Sequence, residues 1–311
     1  MHMFAAFYFV IVLGIEDSWK LSYDELIKLW SLGALLVGLG AIPAGWLSDK
    51  WSRSSMMGIM FFGMGFSAIL CGVSQDKTFL FLSLSLLGLF CSIYHPVGVA
   101  WVVNASKKKG KALGINGIFG GVGIGIGALV AGVLVDNFGW RSAFIIPGLI
   151  SLILSLIVFI FIFKGFISYN NIKSIYLEEN HSSNKLVIIA VILLLSMLGL
   201  GLTFQILQTS IPKILDIRFN NITNFEIGFI ISIIYVFAGF MTIIGGLLAD
   251  RYSLKIIYVI GIIAQAPCYF FIATFTGISL VIVCLLAMIF NSSILPTENI
   301  LLAKFTPEKH H

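Results

Sequence analysis

Two ionisable side chains stand inside long apolar stretches. His95, between Tyr94 and Pro96, falls in a run that reads as one helix over 78–104, and Glu298 falls in another over 278–304. Ionisable groups are costly in such surroundings and are therefore candidates for binding or proton carriage. An imidazole titrates near neutrality and burial moves a carboxyl toward that range, so the two suit a proton-coupling or substrate-gripping pair. A structural reading stands beside this one. A backbone carbonyl near the proline break would satisfy His95, and Lys304 or water would satisfy Glu298. Tyr94, Gln205, Gln208 and Asn291 add neutral hydrogen-bonding groups at similar depth. They either orient a polar solute or join helix to helix.

The elements that position these residues follow from composition. Of 311 residues, 59% are hydrophobic and 11% are charged, against about 25% charged in soluble domains. Mean hydropathy is +1.04. That balance cannot supply a polar surface, which excludes a soluble enzyme, a secreted protein and a nucleic-acid-binding domain. An all-α polytopic membrane protein remains. Apolar runs predict helices near 1–16, 28–48, 55–74, 78–104, 111–136, 141–164, 185–214, 225–249, 255–275 and 278–304. The runs lack the period-two alternation of barrel strands. Cys71, Cys91, Cys268 and Cys284 lie in apolar stretches at no recurring spacing, so neither a disulfide framework nor a metal site is expected. No cofactor is expected either.

Lys and Arg set the orientation. Lys50, Arg53, Lys107, Lys108, Lys109, Lys111, Arg251 and Lys255 fall in loops after even-numbered helices, which places those loops in the cytoplasm. Lys20, Lys28, Lys77, Arg141, Lys213 and Arg218 fall on the other side. The polar stretch 165–184 reads as a cytoplasmic linker between an N-terminal unit, 1–164, and a C-terminal unit, 185–311.

The chain repeats itself. Gly45-Trp-Leu-Ser-Asp49-Lys50-Trp-Ser returns 201 residues later as Gly246-Leu-Leu-Ala-Asp250-Arg251-Tyr-Ser. Ser22-Tyr-Asp-Glu25 returns as Thr223-Asn-Phe-Glu226 at the same offset, and both read as capping boxes opening a helix. Phe90-Cys-Ser92 with Pro96 matches Phe290-Asn-Ser292 with Pro296. These landmarks predict two copies of a six-helix unit in parallel. The same offset sets His2 opposite Thr203, deep in its helix. Helix 5 carries Gly117, Gly121 and Gly125 at spacing four, with Gly123 and Gly127 on an adjacent stripe. Small residues so spaced permit close helix packing in lipid.

The doubled G-x-L-x-D-[K/R] loop resembles the signature loop of the major facilitator superfamily, and the glycine-rich fifth helix ending in Phe138-Gly139-Trp140-Arg141 is also similar to that family. The resemblance implies two pseudo-symmetric bundles with a cavity lined by helices 1, 4, 7 and 10. It implies a secondary transporter of the cell membrane that moves a small solute by rocker-switch alternating access, monomeric and open to proton coupling. Within that resemblance, Gly45, Asp49, Lys50, Arg53, Gly246, Asp250 and Arg251 form a latch between bundles in the outward-open state. Two features depart from it. Leu84 stands four residues before Gly88 where the family often has arginine, and helix 5 lacks the Gly-Pro of the antiporter branch.

The same resemblance implies twelve helices, of which this chain carries about ten, with a shortened first helix and no eleventh or twelfth. The glycines of helix 2 (Gly33, Gly38, Gly40, Gly45) would then lack a partner. The reading from these features is most of a small-solute transporter. The alternative is a ten-helix membrane receptor or scaffold that no longer transports.

Overall fold

The computed structural model describes residues 1–106, 109–167 and 184–305. Among these, the chain is helical throughout. The first span is α1 (His2–Ala6) and α2 (Tyr8–Trp19), and the second is α3 (Tyr23–Lys28), α4 (Ser31–Leu39) and α5 (Ala41–Lys50). Next come α6 (Arg53–Val73) and α7 (Lys77–Cys91), then a π-helical segment, Tyr94–Val99, continued by α8 (Ala100–Ala105). α9 (Lys109–Phe138) and α10 (Trp140–Phe163) complete the first bundle. The second holds α11 (Asn184–Arg218), α12 (Asn224–Arg251), α13 (Leu254–Thr274) and α14 (Gly277–Phe305). Nine helical stretches among the described residues are long and apolar enough to cross a membrane. The expected linker lies mostly outside the described residues, as do Lys107 and Lys108.

Three spans expected as single helices are interrupted, two of them at prolines. Pro43 has no N–H for the Leu39 carbonyl, and the second span breaks at Gly40, as well as around Leu29–Trp30. Pro96 likewise leaves the Ser92 carbonyl without its donor, and the chain passes from α7 into the π segment there. The first span breaks at Phe7, with no proline near it.

Both expected capping boxes are formed. Ser22 opens α3 with Glu25, and Thr223 opens α12 with Glu226. The repeat extends to packing: α4 lies on α7 as α12 lies on α14, and α6 lies on α7 as α13 lies on α14. The α6–α10 contact is close because glycines meet backbone. A Cβ on Gly65 would stand 2.6 Å from the Gly148 carbonyl oxygen. Ser151 and Ser155 donate across that seam to the carbonyls of Phe61 and Gly58. In lipid, such interhelical bonds and dispersion take over the part that the hydrophobic effect plays in water.

The glycine stripe of helix 5 divides between two partners. Gly121, Gly125 and Gly132 face α12, where a Cβ on Gly121 would stand 2.6 Å from the Gly239 Cα. Gly123 and Gly127 face the chain around Met3. Three of the four glycines of the second span pack on the fourth span, whereas the partner expected for them was an eleventh helix. Gly33 packs on Leu84 and Gly88, Gly40 on Ser92 and Gly45 on Pro96, while Gly38 meets nothing within 4 Å.

Two arginines close equivalent helix ends. Arg141 donates to the carbonyls of Gly72 and Ser74 at the end of α6, and Arg218 donates to those of Ile272, Ala273 and Phe275 at the end of α13. A cation there meets the unpaired carbonyls and the negative pole of the helix. The four cysteines are buried and free.

Candidate solute site and interbundle contacts

The π segment turns Tyr94 and His95 toward the first span. The His2 ring centroid lies 5.5 Å from that of Tyr94 and 5.5 Å from that of His95, both edge to face. Tyr94 and His95 stand 5.4 Å apart in the same manner. Edge-to-face contacts set the positive ring edge against the negative face and fix the relative orientation of three planar groups. The Tyr94 hydroxyl donates to Asn116 Oδ1 on α9 over 2.6 Å. His2 packs over Gly120 and Gly123 of the same helix. Three elements thus gather two imidazoles, a phenol and a carboxamide. His95 is exposed, whereas His2, Tyr94 and Asn116 are half-buried. The cluster can donate and accept hydrogen bonds and stack on a planar ring.

Glu298 is held elsewhere. It is buried, and its Oε1 accepts from the Tyr258 hydroxyl at 3.1 Å. Tyr258 in turn lies 2.9 Å from Ser196 Oγ, so the chain of hydrogen bonds ties α11, α13 and α14 together inside the second bundle. Among the described residues, no hydrogen bond or ion pair joins Glu298 to His95. The side chain of Lys304, the alternative partner, lies outside the described residues. Gln208 is buried, and Gln205 and Asn291 are half-buried. The structure does not bring these three into the histidine cluster through any hydrogen bond among the described residues.

Among the described residues, no hydrogen bond or ion pair joins either signature loop to the other bundle. Arg53 Nη2 lies 3.3 Å from Asp49 Oδ1, one turn along the chain. Lys50 Nζ stands 4.1 Å over the Trp46 ring. Asp250 and Arg251 are exposed, and Gly246 meets nothing within 4 Å. The side chains of Lys109 and Lys111, at the start of α9, lie outside the described residues.

Beside the α9–α12 seam, polar contacts between the bundles gather at the opposite, lysine-poor end. Lys213 Nζ on α11 lies 2.7 Å from Glu16 Oε2 on α2, and 2.8 Å from Asp216 Oδ2 on its own helix. Tyr23 donates its hydroxyl to the Thr209 carbonyl at 2.7 Å. Asp136, at the end of α9, accepts from Asn224 Nδ2 at 2.7 Å and from the Phe225 backbone N–H at 2.6 Å. It thereby caps the α12 N-terminus from the other bundle, where the helix dipole favours a carboxylate. A cavity of about 430 Å³ opens just outside, lined by Glu16, Asp17, Lys20, Lys213 and Asp216 among others.

Sequence reasoning missed Asn116, because the glycines of helix 5 drew the whole reading of that helix. It also missed this second set of interbundle contacts. The signal available was a set of charged residues within or next to the outer turns of predicted spans: Glu16, Asp136, Lys213 and Asp216.

Comparison with known proteins accords with this architecture. The family model described as Major Facilitator Superfamily matches residues 1–311. The chain is 29% identical over 134 residues to the riboflavin transporter RibZ of Clostridioides difficile, covering 42% of this chain and 29% of that protein. It is 27% identical over 143 residues to the niacin transporter NiaP of Acinetobacter baylyi, covering 45% and 32%. It is 27% identical over 228 residues to the multidrug resistance protein MdtG of Salmonella paratyphi A, covering 70% and 55%. The chain therefore spans between about a third and about half the length of these curated relatives. Among solved structures, the nucleoside transporter NupG (D323A mutant) superposes with a TM-score of 0.74 at 16% identity, over 98% of this chain and 79% of that one. A bacterial homolog of the human lysosomal transporter Spinster, in an inward-facing and occupied conformation, gives 0.69 at 15% identity over 96% and 70%. The doubled signature loop, the paired bundles and the full-length family match lead to one assignment: the chain belongs to the major facilitator superfamily, whose members are multi-pass membrane proteins.

Proposed function

We propose that this chain carries the working parts of a secondary transporter that moves a small organic solute by alternating access. The cluster of His2, Tyr94, His95 and Asn116 is its solute grip. The observation that carries this reading is the gathering of two imidazoles and a phenol from two spans onto the helix that packs against the second bundle. Three planar side chains, His95 among them exposed, suit a planar, ring-bearing solute with hydrogen-bonding substituents. The relatives that transport riboflavin and niacin make ring-bearing metabolites the first class to try.

In this reading the loops rich in Lys and Arg face the cytoplasm and the Glu16–Lys213 end faces outward. Interbundle bonds at the outer end, and signature loops with no interbundle hydrogen bond or ion pair among the described residues at the inner end, then describe a carrier closed outside and open inside. The imidazoles hold the coupling proton in the first bundle. Glu298, bonded to Tyr258, is a second and separate proton site in the other bundle. Gln205, Gln208 and Asn291 complete the polar lining when the bundles rock. The signature aspartates latch only when the inner end closes.

Uptake by proteoliposomes of a panel holding ring-bearing carboxylates, neutral heterocycles and amphipathic cations tests this. Saturable uptake of a ring-bearing solute, reduced in His95→Gln, is the expected result. Uptake of none, with binding of a protein partner instead, would favour a scaffold.

A further inference from the structure

We infer that Asp216 is a release residue for the outer clasp: it shares Lys213 with Glu16, so that the bundles can part without stranding a lysine. The inference rests on the alternating-access reading and goes beyond it to a residue that touches neither the solute cluster nor the signature loops. Lys213 Nζ lies 2.7 Å from Glu16 Oε2 across the bundle boundary and 2.8 Å from Asp216 Oδ2 within α11. Only the first contact crosses between bundles. Opening the outer end breaks it, while the second, set by the i, i+3 geometry of one helix, survives in either state.

One electrostatic term sets the sign. Both carboxylates approach one ammonium in the closed state, so they repel each other there and less when the bundles part. The attraction of Asp216 for Lys213 is present in both states and cancels between them. Removing the Asp216 charge therefore favours the closed state by relieving that repulsion. Removing the Glu16 charge does the opposite, because it deletes the ion pair that Lys213 makes across the boundary. The side chains of the trio are about a quarter to a third exposed, so each effect belongs to the modest range of partly solvated pairs. The bond from Tyr23 to the Thr209 backbone lies one turn deeper and holds the closed state without charge.

The test reads opening directly and needs no solute. Val12 is fully buried and lies one turn inward of Glu16 on the same face of α2. The full chain with Val12→Cys, in proteoliposomes, is treated from outside with a membrane-impermeant maleimide, against the parent whose four cysteines are buried. Glu16→Gln is expected to raise the labelling rate of Cys at position 12, and Asp216→Asn to lower it, each by about two- to fivefold. The double variant is expected between them. Labelling that rises in both single variants, or is unchanged in Asp216→Asn while Glu16→Gln responds, overturns the release role. Labelling absent from every variant would mean that this end never opens, and would overturn the alternating-access reading together with the inference. A variant that fails to fold would label at Cys71 and Cys91 as well. Asp216→Ser then replaces Asp216→Asn, with the same expected decrease.

Discussion

The Tyr94 hydroxyl donates to Asn116 Oδ1 over 2.6 Å and so fastens the π segment of the fourth span to α9. The same α9 meets α12 of the other bundle through Gly121, Gly125 and Gly132. One helix thus touches both the solute cluster and the partner bundle. Any rocking of α12 against α9 reaches Tyr94 through a single hydrogen bond and a rigid helix.

Tyr94→Phe removes that bond and leaves the ring. A net hydrogen bond contributes about 1 kcal/mol, so the apparent affinity for the transported solute is expected to fall roughly fivefold. The unfolding temperature should change little, because the ring contacts with His2 and His95 remain. Titration of solute binding to the purified chain measures the first effect, and a thermal melt measures the second.

Gly121→Val places a side chain where a Cβ alone would stand 2.6 Å from the Gly239 Cα. Backbone cannot yield as a side-chain tip does, and overpacking costs about 1–3 kcal/mol. The melting temperature of the detergent-solubilised chain should drop by several degrees. Gly38→Ala, at a glycine with nothing within 4 Å, should melt as the parent does. Equal behaviour of the two variants would refute the packing assignment.

Asp136→Ala deletes the cap that α12 takes from the other bundle. Loss of a cap costs about 1 kcal/mol, and here it falls on an interbundle contact. The expected signature is faster amide exchange at Phe225 and Glu226, with exchange inside α6 and α10 unchanged. Hydrogen exchange with mass spectrometry reads both regions.

Tyr258→Phe strips the buried Glu298 carboxyl of its one hydrogen-bond donor among the described residues. Leaving such a group unsatisfied costs about 1–3 kcal/mol. Glu298→Gln keeps an oxygen that accepts from Tyr258. The phenylalanine variant should melt lower and the glutamine variant near the parent. The reverse order would show that Glu298 has another partner.

The spans were largely legible in the sequence, because apolar runs in lipid leave few alternatives. Predicted and observed spans agree to within five residues at every boundary, the largest difference being the start of the second span at Tyr23. The repeat was legible because capping boxes and signature loops are local patterns. The breaks at Gly40 and before Tyr94 follow from Pro43 and Pro96, but their geometry depends on the packing of Gly40 on Ser92 and of Gly45 on Pro96. The site was legible only in part. His95 and Tyr94 announced themselves as polar groups in an apolar run. Their companions His2 and Asn116 come from other helices, and no spacing links them. The pairing imagined between His95 and Glu298 came from placing both on cavity-lining helices. Helical phase turns Glu298 toward Tyr258 instead. The outer clasp was invisible for a similar reason: Glu16 and Lys213 are separated by most of the chain and meet only when the bundles dock.

The central claim is that the bundles carry a solute past the histidine cluster by alternating access. Counterflow tests it most directly. Proteoliposomes holding the full chain are loaded with an unlabelled solute from the panel and diluted into a trace of the same solute labelled. A carrier exchanges one molecule for another, so the account predicts a transient internal excess of label over its external concentration, strongly reduced in His95→Gln. Simple equilibration without an overshoot, or an overshoot unaffected by changing His95 and Tyr94, would contradict it.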